Sequence, residues 1–182
     1  KSMIVKIGSD EMKKTAVYGA GSWGTAIALL LARAGHQVSL IGRNQEKINT
    51  MKNRRENTYY LPGVTLPDMI MPSIDLQDID ADVVFLSVPS HTVRESCRLI
   101  KPFLRPNCII VNTAKGLEEK TYLRLSQVIA QELPDHPLAV LSGPSHAEEV
   151  GKDVVTAVVV AAQDIKTAET VQDLIMTPKF RV

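Results

Sequence analysis

Short runs in which nearly every residue is apolar recur through this chain, and each gives way to residues with helical spacing. Asp82–Val88, Cys108–Asn112, Leu138–Leu141 and Val154–Val160 are such runs. A strand that is apolar at every position has two faces to bury, so it belongs in a sheet covered by helices on both sides. Earlier in the chain, Thr15–Tyr18 and Gln37–Ile41 read as strands, and Ser22–Ala34 as a helix ended by Gly35 in a left-handed cap. A polar helix is predicted over Gln45–Arg54. Leu61-Pro62-Gly63 and Pro67 predict a loop, and Met69–Ile74 a short strand. Further helices are predicted over His91–Lys101, Thr121–Glu132 and Asp164–Met176. With right-handed crossovers this order is an α/β fold with a doubly wound, mostly parallel sheet.

The bulk properties narrow the partners. At 182 residues the chain has the size of one domain with a short appendage. Residues 1–12 are read as an N-terminal extension and 13–182 as the domain. A net charge of +1 gives no electrostatic reason to invoke nucleic acid. No apolar run approaches the roughly 20 residues of a membrane span, and no signal-peptide core is visible. Cys97 and Cys108 lack CxxC or Cys/His spacing, so both are read as small core residues, with no metal and a reducing, cytoplasmic setting. The run Lys52–Glu56 reads as a solvated helix end, and His36 as a complement to the dipole at a helix C-terminus.

The densest chemistry lies at Gly19-Ala20-Gly21-Ser22-Trp23-Gly24, a GxGxxG run that follows the first strand and opens the first helix. In that context Gly19 permits the sharp turn and Gly21 lets backbone approach a diphosphate. Gly24 lets helix and strand pack closely. The N–H groups of Ser22 and Trp23 and the positive end of the helix dipole favour an anion there. Trp23 is placed to cover it. This is a Rossmann-type dinucleotide-binding turn. At the tip of the second strand, where an NAD-specific domain usually carries an acid for the ribose hydroxyls, the chain has Arg43. A guanidinium suits a 2′-phosphate, so NADP(H) is expected to be accepted and preferred over NAD(H).

Three more segments fall where strands reach the same edge: Val88-Pro89-Ser90, Asn112 to Glu118, and Ser142 to Ala147. Lys115, delivered there and followed by Gly116, puts a positive charge where an anionic substrate or alkoxide could sit. A Ser/Lys nucleophilic pair would need oxyanion donors that a hydride-transfer domain does not call for. His91 and His146 lie close to the crevice without a partnering acid or ligand spacing.

Together, Gly-Ala-Gly-Ser-Trp-Gly-Thr-Ala at 19–26, Leu-Pro-Gly at 61–63, Val-Pro-Ser at 88–90, Lys-Gly-Leu-Glu at 115–118 and Ser-Gly-Pro-Ser-His-Ala at 142–147 resemble the N-terminal domain of NAD(P)-dependent glycerol-3-phosphate dehydrogenase. The resemblance spans about residues 13 to 182. It implies reversible hydride transfer between NAD(P)H and dihydroxyacetone phosphate, giving sn-glycerol 3-phosphate for phospholipid synthesis. Position by position it implies that Ser22, Trp23, Arg43 and Ala147 contact the cofactor, with Tyr60 a neighbour and Pro89 and Ser90 at the nicotinamide end. Lys115 is implied to touch cofactor and substrate, and Gly143 and Ser145 to lie on the substrate side. The family's proton-transferring lysine belongs to a helical C-terminal domain absent from this chain, which stops at Phe180-Arg181-Val182 in what reads as a strand. The chain alone is therefore expected to bind dinucleotide without appreciable turnover, and the full-length form to be a homodimer. Two other readings stay open at this level: a 3-hydroxyacid or ketopantoate-type dehydrogenase, and a non-catalytic NADP-sensing module.

Overall fold

The structure is a computed structural model and describes residues 13–182. The predicted extension therefore lies outside the described residues. The chain opens with β1 (Lys14–Tyr18), α1 (Ser22–Arg33), β2 (Gln37–Ile41) and α2 (Gln45–Arg54), then forms a small ladder from β3 (Glu56–Asn57) and β4 (Leu61–Thr65). It continues through β5 (Ile70–Ser73), β6 (Val83–Leu86), α3 (Val93–Ile100), β7 (Ile109–Asn112), α4 (Leu125–Glu132) and β8 (Leu138–Ser142). Last come α5 (Ala147–Gly151), β9 (Thr156–Ala157), β10 (Val159–Ala162), α6 (Ile165–Ile175) and β11 (Phe180–Arg181).

Seven strands form one sheet in the order β10-β8-β7-β6-β1-β2-β5, parallel throughout except for β10, which runs antiparallel to β8. The predicted doubly wound, mostly parallel α/β fold is what forms. Its physical basis is the strand pleat, which sends successive side chains to opposite faces. Val17, Val38, Leu40, Val83, Phe85 and Val111 enter one buried cluster, roofed by α1, α2, α5 and α6. Their neighbours Ala16, Ile41, Val84, Leu86 and Ile110 enter a second cluster, with Val93, Cys97 and Ile100 of α3 and Val128 and Ile129 of α4. The two cysteines are buried core residues, and burial pushes their thiols up, to about 12 for Cys97 and about 11 for Cys108.

The chain winds outward from β1 through β2 to β5, then returns to lay β6 against the other side of β1. Between β1 and β6, therefore, connections depart in opposite directions and a crevice opens at the carboxyl ends of the strands.

Several local expectations need correction. Leu61-Pro62-Gly63 is not a free loop: it begins β4, paired antiparallel with β3 through an irregular register. Val154–Val160 is not one buried strand. It divides into β9, paired with β11, and the edge strand β10, and Val154, Val155 and Val159 are exposed. Apolar composition alone does not distinguish a central strand from an edge. The helix expected from Thr121 begins at Leu125, because Leu117 and Arg124 form an isolated antiparallel bridge across the intervening turn. Lys52, Asn53 and Arg54 are solvated, but Arg55 is a left-handed C-cap at φ 51° whose guanidinium donates to the carbonyls of Leu66, Pro67 and Ile70. Burial holds the His36 imidazole below its ordinary range, and among the described residues Nδ1 has no partner. That direction disfavours the charged ring, the form in which it would complement a helix dipole.

Candidate functional site

The glycine run sits at the crevice, and its three glycines are needed for different reasons. Gly19 adopts φ +116°, and a Cβ there would lie 2.3 Å from the Ser87 carbonyl oxygen. A Cβ on Gly24 would lie 1.8 Å from the Gly19 carbonyl oxygen, so α1 seats directly on the end of β1. Gly21 differs. A Cβ there would meet nothing within 4 Å. Among the described residues no atom explains the absence of a side chain at Gly21, whereas a ligand lying against the turn would.

The start of α1 supports the same reading. Gly21 is its N-cap, no side chain caps the helix, and no acidic residue occupies the first turn. The first N–H groups of a helix have no intrahelical acceptor and carry the positive end of its dipole. Ser22 and Trp23 are half-buried there, with Trp23 packed against the larger core cluster. The residues present thus fit an anionic diphosphate: free donors, an uncontested positive dipole end and backbone that a ligand can approach.

Other hydrogen bonds hold this frame. Gly19 N–H donates to Ile41 O at 2.9 Å, and Ser87 N–H donates to Tyr18 O at 2.8 Å. Thr113 donates through Oγ1 to Leu86 O at 2.8 Å, so the 2.9 Å contact between the Ser87 and Thr113 hydroxyls has Ser87 as donor. That chain of hydroxyls crosses the floor of the crevice from β6 to β7.

At the end of β2, Arg43 is exposed, and Asn44 caps α2 by accepting from Lys47 N–H at 3.0 Å. Lys47 Nζ donates to Tyr60 Oη at 2.6 Å and lies 4.3 Å from the centroid of the Tyr60 ring. The adjacent Tyr59 ring is 5.0 Å away. Tyr60, expected near the cofactor, is thus locked to the helix that follows Arg43.

At the other end of the crevice three of the predicted residues converge on one carbonyl. Gly143 O accepts from Lys115 Nζ at 2.9 Å and from Ser145 N–H at 3.0 Å. The Lys115 amine is bonded to backbone, and among the described residues it has no serine hydroxyl as partner. A Cβ on Gly116 would lie 3.7 Å from the Ser90 side chain, which places the Pro89-Ser90 turn beside the Lys115 loop. Ala147 is the buried first residue of α5 and packs in the same core cluster that Trp23 leans on. His91 and His146 are exposed, and no group of three or more metal-ligating side chains occurs among the described residues.

Sequence reasoning passed over the residues that support this edge. Arg94 of α3 grips Glu118 through Nε at 2.7 Å and Nη2 at 2.9 Å, and also reaches Glu132 of α4. Glu118 lies three residues past Lys115, so this fork anchors the Lys115 loop. The Arg94 guanidinium, with help from the Thr121 hydroxyl, holds the Glu118 carboxyl down to about 2. Asn57 was also missed. A lone Asn after a polar helix carries no pattern that marks it, and only folding brings it under the glycine turn.

A parallel sheet with its switch point beneath a glycine turn, and free donors at the helix mouth, defines a nucleotide-binding domain of the doubly wound class. Its particular family follows from comparison. Residues 14–168 match the family model described as NAD-dependent glycerol-3-phosphate dehydrogenase N-terminus, and the chain belongs to that family. It is 59% identical over 172 residues to glycerol-3-phosphate dehydrogenase [NAD(P)+] of Desulfitobacterium hafniense, covering 94% of this chain and 49% of the relative. The corresponding protein of Moorella thermoacetica is 56% identical, over 92% of this chain and 50% of that one. A crystal structure of glycerol-3-phosphate dehydrogenase from Coxiella burnetii superposes with a TM-score of 0.89 at 33% identity, over 94% of this chain and 53% of that one. The chain thus spans about half the length of the curated relatives it matches. Among the described residues no helix is long and apolar enough to cross a membrane.

Proposed function

We propose that this chain is the nicotinamide-dinucleotide-binding half of a glycerol-3-phosphate dehydrogenase, with NADP(H) or NAD(H) lying across the carboxyl edge of the sheet. Gly21 carries the reading: its missing side chain serves no neighbour among the described residues, and it stands at the open mouth of α1. In this reading the N–H groups around Gly21, Ser22 and Trp23 receive the diphosphate, between the structurally required Gly19 and Gly24. Tyr60 flanks the adenosine, and Arg43 takes the 2′-phosphate when NADP(H) is the ligand. Pro89, Ser90 and Ala147 line the nicotinamide end.

When bound, the cofactor supplies a hydride for the ketone carbon of dihydroxyacetone phosphate, giving sn-glycerol 3-phosphate for phospholipid synthesis. Lys115, Gly143 and Ser145 face that substrate, and the Lys115 ammonium stabilises negative charge on the substrate or on the oxygen as it becomes an alkoxide. The proton for that oxygen comes from a lysine of the helical substrate domain, outside residues 13–182. Full-length chains pair as a homodimer in the cytoplasm, a reducing setting that suits two buried free thiols.

Titration with NADPH and with NADH tests this directly, read by the emission of Trp23, the single tryptophan of the chain. Saturable binding is expected for both, tighter for NADPH. A folded sample with no saturable response to either would overturn the proposal, and tighter NADH would remove the role given to Arg43. Residues 13–182 expressed by themselves should show no appreciable turnover of dihydroxyacetone phosphate; normal turnover would contradict a proton donor outside them.

A further inference from the structure

Asn57 lies in β3, far along the chain from the glycine turn, yet its side chain is fully buried against it. Nδ2 donates to Ala20 O at 3.2 Å and to Thr25 Oγ1 at 2.8 Å. Oδ1 accepts from Tyr60 N–H at 3.2 Å. Thr25, equally buried, passes the connection on by donating from Oγ1 to Gly21 O at 2.8 Å. The amide orientation is dictated by its partners, since a carbonyl only accepts and a backbone N–H only donates. One amide thus uses both ends: its nitrogen serves the turn, its oxygen the segment carrying Tyr60.

The consequence follows from peptide planarity. In a trans peptide the C=O and the N–H of the next residue point in opposite directions. Holding Ala20 O inward on Asn57 turns Gly21 N–H away from the core, and holding Gly21 O on Thr25 does the same for Ser22 N–H. We propose that Asn57 is a positioning residue for the dinucleotide. It aims the N–H groups of the phosphate turn outward and fixes the Tyr60 wall relative to them. This rests on the reading of the turn as the dinucleotide site.

A buried asparagine could also serve stability alone, so the test separates binding from folding. Asn57→Leu, Thr25→Val and the double variant are titrated with NADPH and NADH by Trp23 emission, well below the separately measured Tm of each. Asn57→Leu is expected to weaken both dinucleotides about tenfold, the scale of one lost hydrogen bond to a charged group. The ratio of NADPH to NADH affinity should stay unchanged, because Asn57 does not touch the Arg43 tip. Thr25→Val is expected to weaken both severalfold, and the double variant to weaken them by less than the product, since both act through Gly21 and Ser22.

A folded Asn57→Leu with wild-type affinity would overturn the proposal, as would effects of the two substitutions that simply multiply. If Asn57→Leu does not fold, Thr25→Val decides: unchanged dinucleotide affinity in that variant overturns the proposal. Wild-type protein that binds neither dinucleotide would overturn the site reading and this inference together, whereas wild-type binding with indifferent variants would overturn this inference alone.

Discussion

At the β1 side of the crevice, backbone does the shaping; at the β7–β8 side, side chains do. Near β1, Gly19 and Gly24 lie so close that a single Cβ would collide, and buried Asn57 and Thr25 hold the turn from below. Near β7 and β8, the exposed Lys115 bonds a carbonyl, and its loop is tied back through the Arg94–Glu118 fork. The contrast suits the two tasks proposed for these regions. A diphosphate is the same in every dinucleotide and is met by fixed donors, whereas a reacting centre needs a charged group free to adjust to it.

Gly24→Ala should break the first side most severely. With a backbone oxygen 1.8 Å from the new Cβ, a loss of about 3 kcal/mol or more of folding stability is expected, read by denaturant unfolding. Gly21→Ala should separate what Gly24→Ala destroys together. The new methyl has open space around it, so stability should fall by about 1 kcal/mol or less, the scale of a changed N-cap. Dinucleotide affinity should nevertheless drop roughly a hundredfold, about 2.7 kcal/mol. A Gly21→Ala protein that binds normally would remove the contrast between the glycines.

Arg43→Ala tests whether the adenosine tip is a third kind of region, exposed and concerned with selectivity. NADPH affinity should fall roughly tenfold, by the loss of a charge-assisted hydrogen bond, with a smaller change for NADH. Equal losses for both dinucleotides would assign Arg43 to general attraction.

The mildest effect belongs to the second side. Glu118 has its folded-state pKa depressed to about 2 from an ordinary 4.5, so the folded state holds fewer protons than the unfolded state between those values. Its stabilisation is complete above about pH 4.5 and disappears as pH falls toward 2. The Tm gap between wild type and Glu118→Gln should therefore be present at neutral pH and close across that window. A gap that persists at the acid end would show that the fork does not act through the carboxylate charge.

The fold was largely legible because the central strands advertise two buried faces and many of the turns carry glycine or proline. The glycine turn itself was legible for the same reason: its requirements are local, spaced within six residues. What stayed hidden depends on residues that meet only after folding. Asn57 and Thr25 are far apart in sequence, and Arg94 is separated from Glu118 by the rest of α3 and the whole of β7. The misjudged stretch Val154–Val160 fails for a related reason, since a valine run reads alike at the centre of a sheet and at its edge, where Val159 is exposed.

The seating of Gly24 on Gly19 has one more consequence. With backbone seated on backbone, a slide of α1 along β1 would break that contact, so the floor of the crevice is shaped while the chain folds. The ordering cost of that surface therefore falls on folding rather than on association, and the anion proposed to bind there would meet donors already in place.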